Sequence, residues 1–468
     1  MQKFWFSILI VFIITGSLSG QSHKIDIHLK GMTDSTLLIA YHYGEQKFIY
    51  DTLTSYRNGE FELVGEDTIP GGVYLVVLPD MKYFEFLIGD DQNFSVSTDV
   101  DDIIPSLEFK GSKENTAFLE YQRFLMQLNK TNYETREKMK SFINEPDSLA
   151  SLQSIIDNNN EKLEIYLEDL HKKFPDSFIG DLVYAMAPPQ VPDFNIPENQ
   201  INKDSLKMAL SYGYYRDHFF DNLNFSNDKL IRTPILQNKL DTYFNKVLMQ
   251  LPDSIIPQIH LTAEKASANK EIFQYFVIFV LNNFLESKIM GMDEVFVDVA
   301  ETYYLTGEAY WSDSVYLEKL RDRVNKTKPN LIGAKAQELK METITGEWVS
   351  LHETTAKYTI LYFWEPNCGF CKTETPKLFE LYKRYQDQGL AVFAIDTQGD
   401  RKQWEDYINE HAFDWINAWD PHQQTYFRYY YDIHSTPTLY LLDNNKTIIA
   451  KRIDVDQLSK MLGEIFAE

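Results

Sequence analysis

From residue 25 to residue 109 apolar and polar positions alternate with period two, as in a strand that buries one face. Ile25, Ile27 and Leu29 open the pattern, and runs at 37–43, 48–53, 61–64, 73–78, 83–88 and 94–97 continue it. Turn residues separate them: Gly31, Gly44-Glu45, Asn58-Gly59, Pro70-Gly71-Gly72, Pro79-Asp80 and Asp90-Asp91. Short strands at this spacing predict an antiparallel β-sandwich or barrel over residues 21–112. The acids Asp90, Asp91, Asp99, Asp101 and Asp102 lack the ligand spacing and glycine of a calcium loop and read as a solvated acidic surface.

At Gly111-Ser112-Lys113-Glu114-Asn115 the period changes to that of a helix. Phe118, Tyr121, Leu125 and Leu128 share one face, and Leu163, Tyr166, Leu167 and Leu170 another, predicting an all-α middle domain over 113–326. Prolines 188, 189, 192 and 197 must interrupt it with an extended segment. The aromatic pairs Tyr214-Tyr215, Phe219-Phe220 and Tyr303-Tyr304 could line a groove, but core packing is the simpler reading, since aromatic rings dominate core burial.

A polar hinge, Lys326-Thr327-Lys328-Pro329-Asn330, leads into the last domain, 327–468. Its pattern predicts a hairpin over 339–351, a buried strand at 358–364, a helix carrying Leu378, Leu381, Tyr382 and Tyr385, and a strand at 390–395. A helix at 401–411, a short strand at 415–418, a helix at 422–431, strands at 438–442 and 448–453 turning at Asn444-Asn445, and a helix at 455–466 complete it. Strands alternating with helices imply an α/β sheet covered on both faces.

The formal net charge of -24 argues against nucleic acid and anionic membrane as partners, because both require basic patches. Met1-Gln2-Lys3, an apolar run over 4–14 and the small residues Gly16-Ser17-Leu18-Ser19-Gly20 have the layout of a signal peptide, 1–20, cleaved near Gly20. That predicts an exported protein of the periplasm or cell envelope, associated with the membrane only if the segment stays uncleaved; the apolar run is shorter than the ~20 residues that span a bilayer. No cysteine lies near it for lipid attachment.

Cys368 and Cys371 are the only cysteines in 468 residues, and they sit where the strand 358–364 turns into a helix. Unpartnered first-turn amides and the positive end of the helix dipole lower a thiol's pKa there. A bridge between residues three apart constrains the unfolded chain little, so a structural disulfide is poorly motivated. A zinc site needs more ligands than one pair and no second pair exists, so no metal and no cofactor is expected. Cys368 is then the exposed nucleophile and Cys371 the resolving thiol of a thiol–disulfide exchange.

The stretch 364–371 (Trp364-Glu365-Pro366-Asn367-Cys368-Gly369-Phe370-Cys371), Pro376 and the run 433–443, which includes Ser435-Thr436-Pro437-Thr438, resemble the thioredoxin superfamily. Within it they are similar to the TlpA/ResA-like exported thiol–disulfide oxidoreductases. Gly111 to Asn115, Asp221 to Phe225, Gly291-Met292-Asp293 and Tyr303 to Gly307 extend the likeness to multidomain Bacteroidota members with an N-terminal β-domain and a helical middle domain. The resemblance implies a C-terminal thioredoxin-like α/β fold and a cis Pro437 facing the cysteines, with the Thr436 backbone left free to pair with substrate. It further implies Glu374 as an acid tuning thiol protonation, Pro376 as a kink in the helix, and Trp364 as an aromatic beside the pair, grouped here with Thr436 and Pro437 as substrate-binding. Copper-carrying relatives pair two cysteines with a distant histidine, but at other spacings, and His434 reads as a loop residue. The Pro-x-x-x-Thr-x-x-Cys pattern of peroxide-reducing relatives does not fit residues 361–368.

The expected function is therefore thiol–disulfide exchange with protein substrates through Cys-Gly-Phe-Cys, in the reductive direction, with a membrane-bound thiol reductant resetting the pair. The alternative is a redox-sensing or scaffold protein whose thioredoxin-like domain is an interaction module; retention of both cysteines counts against a degenerate adaptor.

Overall fold

The computed structural model describes residues 23–198 and 200–467; the expected signal segment lies outside them. The chain divides into two compact units at Val247/Leu248.

The first unit opens with strands β1 (His23–Lys30), β2 (Thr36–Tyr43), β3 (Gln46–Thr54), β4 (Glu60–Gly65), β5 (Gly72–Val77), β6 (Tyr83–Ile88) and β7 (Asn93–Asp99). The short helix α1 (Ile103–Ser106) and strand β8 (Glu108–Lys110) follow. Two sheets form, ordered β4-β1-β7-β8 and β3-β2-β5-β6. The alternation does the work predicted for it: Ile25, Ile27 and Leu29 of one sheet and Leu37, Ile39, Tyr74, Val76 and Phe86 of the other enter one shared core. The expected sandwich is present, with one difference: β1 and β7 pair in parallel. The three-residue β8 is too short to show a period. At the Asn58-Gly59 turn, Gly59 has φ +70, and a Cβ there would lie 2.3 Å from the Leu29 carbonyl oxygen, so only glycine fits.

Helices α2 (Lys113–Met139), α3 (Pro146–Lys173), α4 (Phe178–Met186), α5 (Lys203–Asp217) and α6 (Pro234–Thr242) complete this unit. Ser112 caps α2 by accepting the Asn115 amide. Asn115 itself is 1% exposed, and its side-chain amide accepts from the Leu87 N–H at 2.7 Å and donates to the Leu87 carbonyl at 2.9 Å. The motif where the period changes thus pins the helix to β6. Phe219 and Phe220 are buried and pack on Tyr243, the core role expected of them. Asp90 and Asp99 form ion pairs with Lys229 and Lys30.

The second unit starts with helices α7 (Pro252–Ala266), α8 (Lys270–Leu285), α9 (Asp293–Val299) and α10 (Ser314–Thr327), and Tyr303 and Tyr304, between α9 and α10, are buried. The α/β part contains β9 (Lys340–Thr343), β10 (Trp348–Ser350), β11 (Tyr358–Trp364), α11 (Gly369–Tyr385), β12 (Leu390–Asp396), α12 (Arg401–His411), β13 (Ile416–Trp419), α13 (Phe427–Tyr430), β14 (Thr438–Leu442), β15 (Ile448–Lys451) and α14 (Val455–Ile465). Its sheet runs β10-β9-β13-β12-β11-β14-β15, with β11 parallel to β12 and antiparallel to β14. β11 is buried on both faces: Ile360, Tyr362 and Trp364 enter the core under α11, α12 and α14, whereas Leu361 and Phe363 join Phe393, Tyr431 and Tyr440 on the other side. This is the mixed α/β arrangement of a thioredoxin fold.

The helix expected over 422–431 shrinks to α13. Asp420 accepts hydrogen bonds from the Gln424 and Thr425 amides at 3.0 and 2.8 Å, a side-chain turn that competes with helix formation, and Gln423 and Tyr426 adopt positive φ. No helix among the described residues is long and apolar enough to cross a membrane.

Candidate active site

The buried strand β11 delivers the chain to Glu365-Pro366-Asn367, and α11 begins directly after Cys368. Cys368 occupies the N-cap position, with φ -74 and ψ 125, and its Sγ accepts the Cys371 N–H at 3.2 Å. A sulfur thus stands where serine or aspartate oxygen usually satisfies a first-turn amide, a position that favours negative charge. Cys368 is partly exposed, whereas Cys371 is 1% exposed, and both are reduced.

Their environments push the two thiols apart. Partial burial of Cys368 opposes ionisation, but hydrogen bonds involving the Cys371 thiol and amide, the Thr436 side chain and the Phe370 amide outweigh it, and the pKa falls. Burial, reinforced by the hydrogen bond with Cys368, pushes Cys371 up to about 12.

Facing the pair, the Thr436–Pro437 peptide is cis, as the family resemblance implied. The Cys368 thiol donates to the Thr436 carbonyl at 3.2 Å. The Thr436 hydroxyl donates to Glu365 Oε1 at 3.2 Å, and Glu365 Oε2 accepts from the Thr397 hydroxyl at 3.4 Å. Glu365 therefore ties together the ends of β11 and β12 and the loop before β14. The sequence reading passed over this residue; an acid at the end of a buried strand, beside a reactive thiol, was the available signal.

Glu374, one turn beyond Cys371, is partly buried, and its carboxylate accepts from the Lys377 ammonium at 2.8 Å rather than from a thiol. Pro376 lies inside α11. Trp364 requires a correction: it is fully buried, against Tyr407 and Phe413, in the same core as Cys371, so its indole offers substrate no surface. A groove of about 680 Å³ runs along the cis-proline loop, lined by Phe370, Glu374, His434, Thr436, Pro437 and Arg452, with Phe370 strongly exposed. His434 lies 2.7 Å from Asp432. No cluster of three or more metal-ligating side chains occurs among the described residues.

Asp396, at the end of β12, was also missed. It is 3% exposed; Oδ2 accepts the Gly399 N–H at 2.8 Å, and Oδ1 has no partner. Burial pushes its carboxyl up to about 6 against the pull of the Gly399 and Gln398 amides. Its separation in sequence from the cysteines hid it.

Residues 332–451 match the AhpC/TSA family, 176–330 the domain of unknown function DUF5106, and 23–118 the domain of unknown function DUF4369. The thiol-disulfide oxidoreductase ResA of Bacillus thuringiensis (strain Al Hakam) is 25% identical over 132 residues, which are 28% of this chain and 75% of that protein. The thioredoxin-like protein YneN of Bacillus subtilis is 29% identical over 124 residues, 25% of this chain and 68% of that protein. Among solved structures, a domain of a possible thiol-disulfide isomerase from Cytophaga hutchinsonii is 39% identical, covering 29% of this chain and 94% of that domain, with a TM-score of 0.28. Residues 332–451 therefore form an AhpC/TSA, thioredoxin-like domain related to the ResA thiol–disulfide oxidoreductases, preceded by a DUF4369 region at 23–118 and a DUF5106 region at 176–330.

Proposed function

We propose that this chain is an exported thiol–disulfide oxidoreductase that reduces protein disulfides through Cys368 and Cys371 in the periplasm or cell envelope. The observation that carries the reading is the asymmetry of the pair: one accessible thiol with a lowered pKa, and one buried thiol at about 12. The Cys368 thiolate attacks one sulfur of the substrate disulfide; the substrate S–S bond breaks, a mixed disulfide forms, and the leaving sulfur departs as a thiolate. Cys368 then no longer carries the thiol whose hydrogen bond helped hold Cys371 protonated. Cys371 gives up its proton and attacks Cys368 Sγ, releasing the second substrate sulfur. Two electrons have passed to the substrate, two protons complete its thiols, and the 368–371 disulfide remains for a membrane-bound thiol reductant to reset.

The leading residues 1–20, read as a signal peptide, support the compartment. The test is a disulfide-reduction assay on purified protein together with trapping in the native compartment. Wild type should turn over, Cys368→Ser should not, and Cys371→Ser should accumulate mixed disulfides with envelope proteins. Activity in Cys368→Ser would sink the reading, and a Cys371→Ser variant that traps nothing would favour a scaffold role for the domain.

A further inference from the structure

The loop that carries Thr436 and Pro437 is gripped from outside the α/β fold. Arg323, on α10, places Nη1 2.8 Å from Asp432 Oδ2 and 3.1 Å from Oδ1, and the same nitrogen lies 2.8 Å from His434 Nε2. Asp432 is almost wholly buried and has φ +51, a left-handed conformation that side chains other than glycine hold only where the surroundings impose it. Arg452, from just beyond β15, donates to the same Asp432 Oδ2 at 3.0 Å. One guanidinium would balance this carboxylate's charge. The second, arriving from the helical segment, adds geometry: its Nη1 lies against both the Asp432 carboxylate and the His434 ring, whose Nε2 is itself 2.7 Å from Asp432 Oδ1, and Ile433 between them is anchored in the core.

The end of α10 is itself tied to the α/β part. Asn330, 2% exposed, donates to the Lys326 carbonyl at the end of α10 and to the Tyr430 carbonyl just ahead of the loop. Lys451 of β15, also buried, pairs with Asp293 of α9 and donates to the Asn330 carbonyl. Two residues beyond His434 stands Thr436, whose carbonyl receives the Cys368 thiol. The grip of α10 is therefore applied to the segment that faces the nucleophile.

We infer that Arg323, which lies outside the thioredoxin-like domain, is a positioning residue of the redox site, holding the 432–436 loop in the geometry needed for an extended protein segment to pair along Thr436. The inference rests on the proposed exchange at Cys368. It gives the last helix of the helical segment a part in substrate affinity, through Arg323 on the loop. A small disulfide, which reaches Cys368 without pairing along the loop, should not depend on this contact.

The experiment uses the full chain, pre-reduced, with two oxidants: a peptide closed by one disulfide with extended flanks, and the small molecule hydroxyethyl disulfide. Arg323→Met keeps the aliphatic stem and removes both polar contacts. It should lower kcat/KM for the peptide by roughly tenfold, the scale of one lost charge-assisted hydrogen bond, through KM, while leaving the small disulfide at the wild-type rate. Arg323→Lys, which keeps a charge opposite Asp432, should fall between. Equal rates for variant and wild type on both oxidants, or an equal loss on both, would overturn the inference while leaving the exchange reaction standing. A wild-type protein that reduces neither oxidant would instead remove the exchange reaction itself. If Arg323→Met loses its cooperative melt, Arg323→Lys carries the comparison; failure of both to fold would mark a structural ion pair and also overturn the inference.

Discussion

At pH 8 the two cysteines should differ in thiolate content by about three orders of magnitude. Cys371, held near 12, is ionised in about one molecule in ten thousand at that pH, whereas Cys368, below the ordinary thiol value of 9.0, is more than about a tenth ionised. Since the thiolate is the nucleophile, brief iodoacetamide treatment of the native reduced protein should modify Cys368 alone, with Cys371 labelled after denaturation. Burial of Cys371 slows its labelling too, so the pH profile separates ionisation from access. The Cys368 rate should reach half its maximum below pH 9, while any Cys371 rate should still climb at pH 10. In Cys368→Ser the thiol that helps hold Cys371 protonated is gone, so Cys371 should label faster than in wild type, yet burial should keep it slower than Cys368 was. Peptide mapping by mass spectrometry reads all three. Equal labelling of both cysteines, or a Cys368 rate whose half-maximum lies at or above pH 9, would refute the asymmetry on which the exchange reaction depends.

Two further substitutions probe the supports of each unit. A carboxyl held at about 6 in the fold but at 3.8 when unfolded ionises first in the unfolded chain, so Asp396 contributes no cost below pH 4; stability is then lost as pH rises from 4 to 6, by on the order of 3 kcal/mol above that window. Asp396→Asn should flatten this slope and stabilise the second unit at pH 7, followed by urea unfolding on tryptophan fluorescence. That signal is specific because Trp311, Trp348, Trp364, Trp404, Trp415 and Trp419, the tryptophans among the described residues, all lie in the second unit; an unchanged slope would refute the assignment. In the first unit, Asn115→Ala strips the buried Leu87 N–H and carbonyl of their partners and should cost about 2–4 kcal/mol. Calorimetry should show the first unit melting earlier with thiol exchange unaltered, and an unchanged melt would mean that water replaces the amide.

Much of the fold was legible because burial leaves a periodic trace. Strands β1–β7 of the sandwich, the buried run of β11 and the helix after the cysteines all follow from which positions must avoid water. The errors have local causes: β8 is too short for a period, and Asp420 substitutes its own hydrogen bonds for those of a helix at 422–426. At the site, Cys368 and Cys371 were visible because their chemistry is local to one turn. Glu365 and Asp396 were not, since each acts through a partner or an environment remote in sequence: Thr436 and Thr397 in one case, burial at the end of β12 in the other. Trp364 was read as a surface for substrate, but which way it points depends on the sheet, and the sheet turns it inward.

By itself the amino-acid sequence determined the order of β, helical and α/β segments, the reactive pair and its position at a helix start, because hydrophobic period and turn chemistry act over a few residues. The tertiary structure alone decided how deeply Cys371 is buried and so how firmly it stays protonated, that the Thr436 carbonyl meets Cys368, and that Arg323 reaches the loop more than a hundred residues later in the chain. Those depend on desolvation and on long-range hydrogen bonds, which exist only once distant segments have packed together.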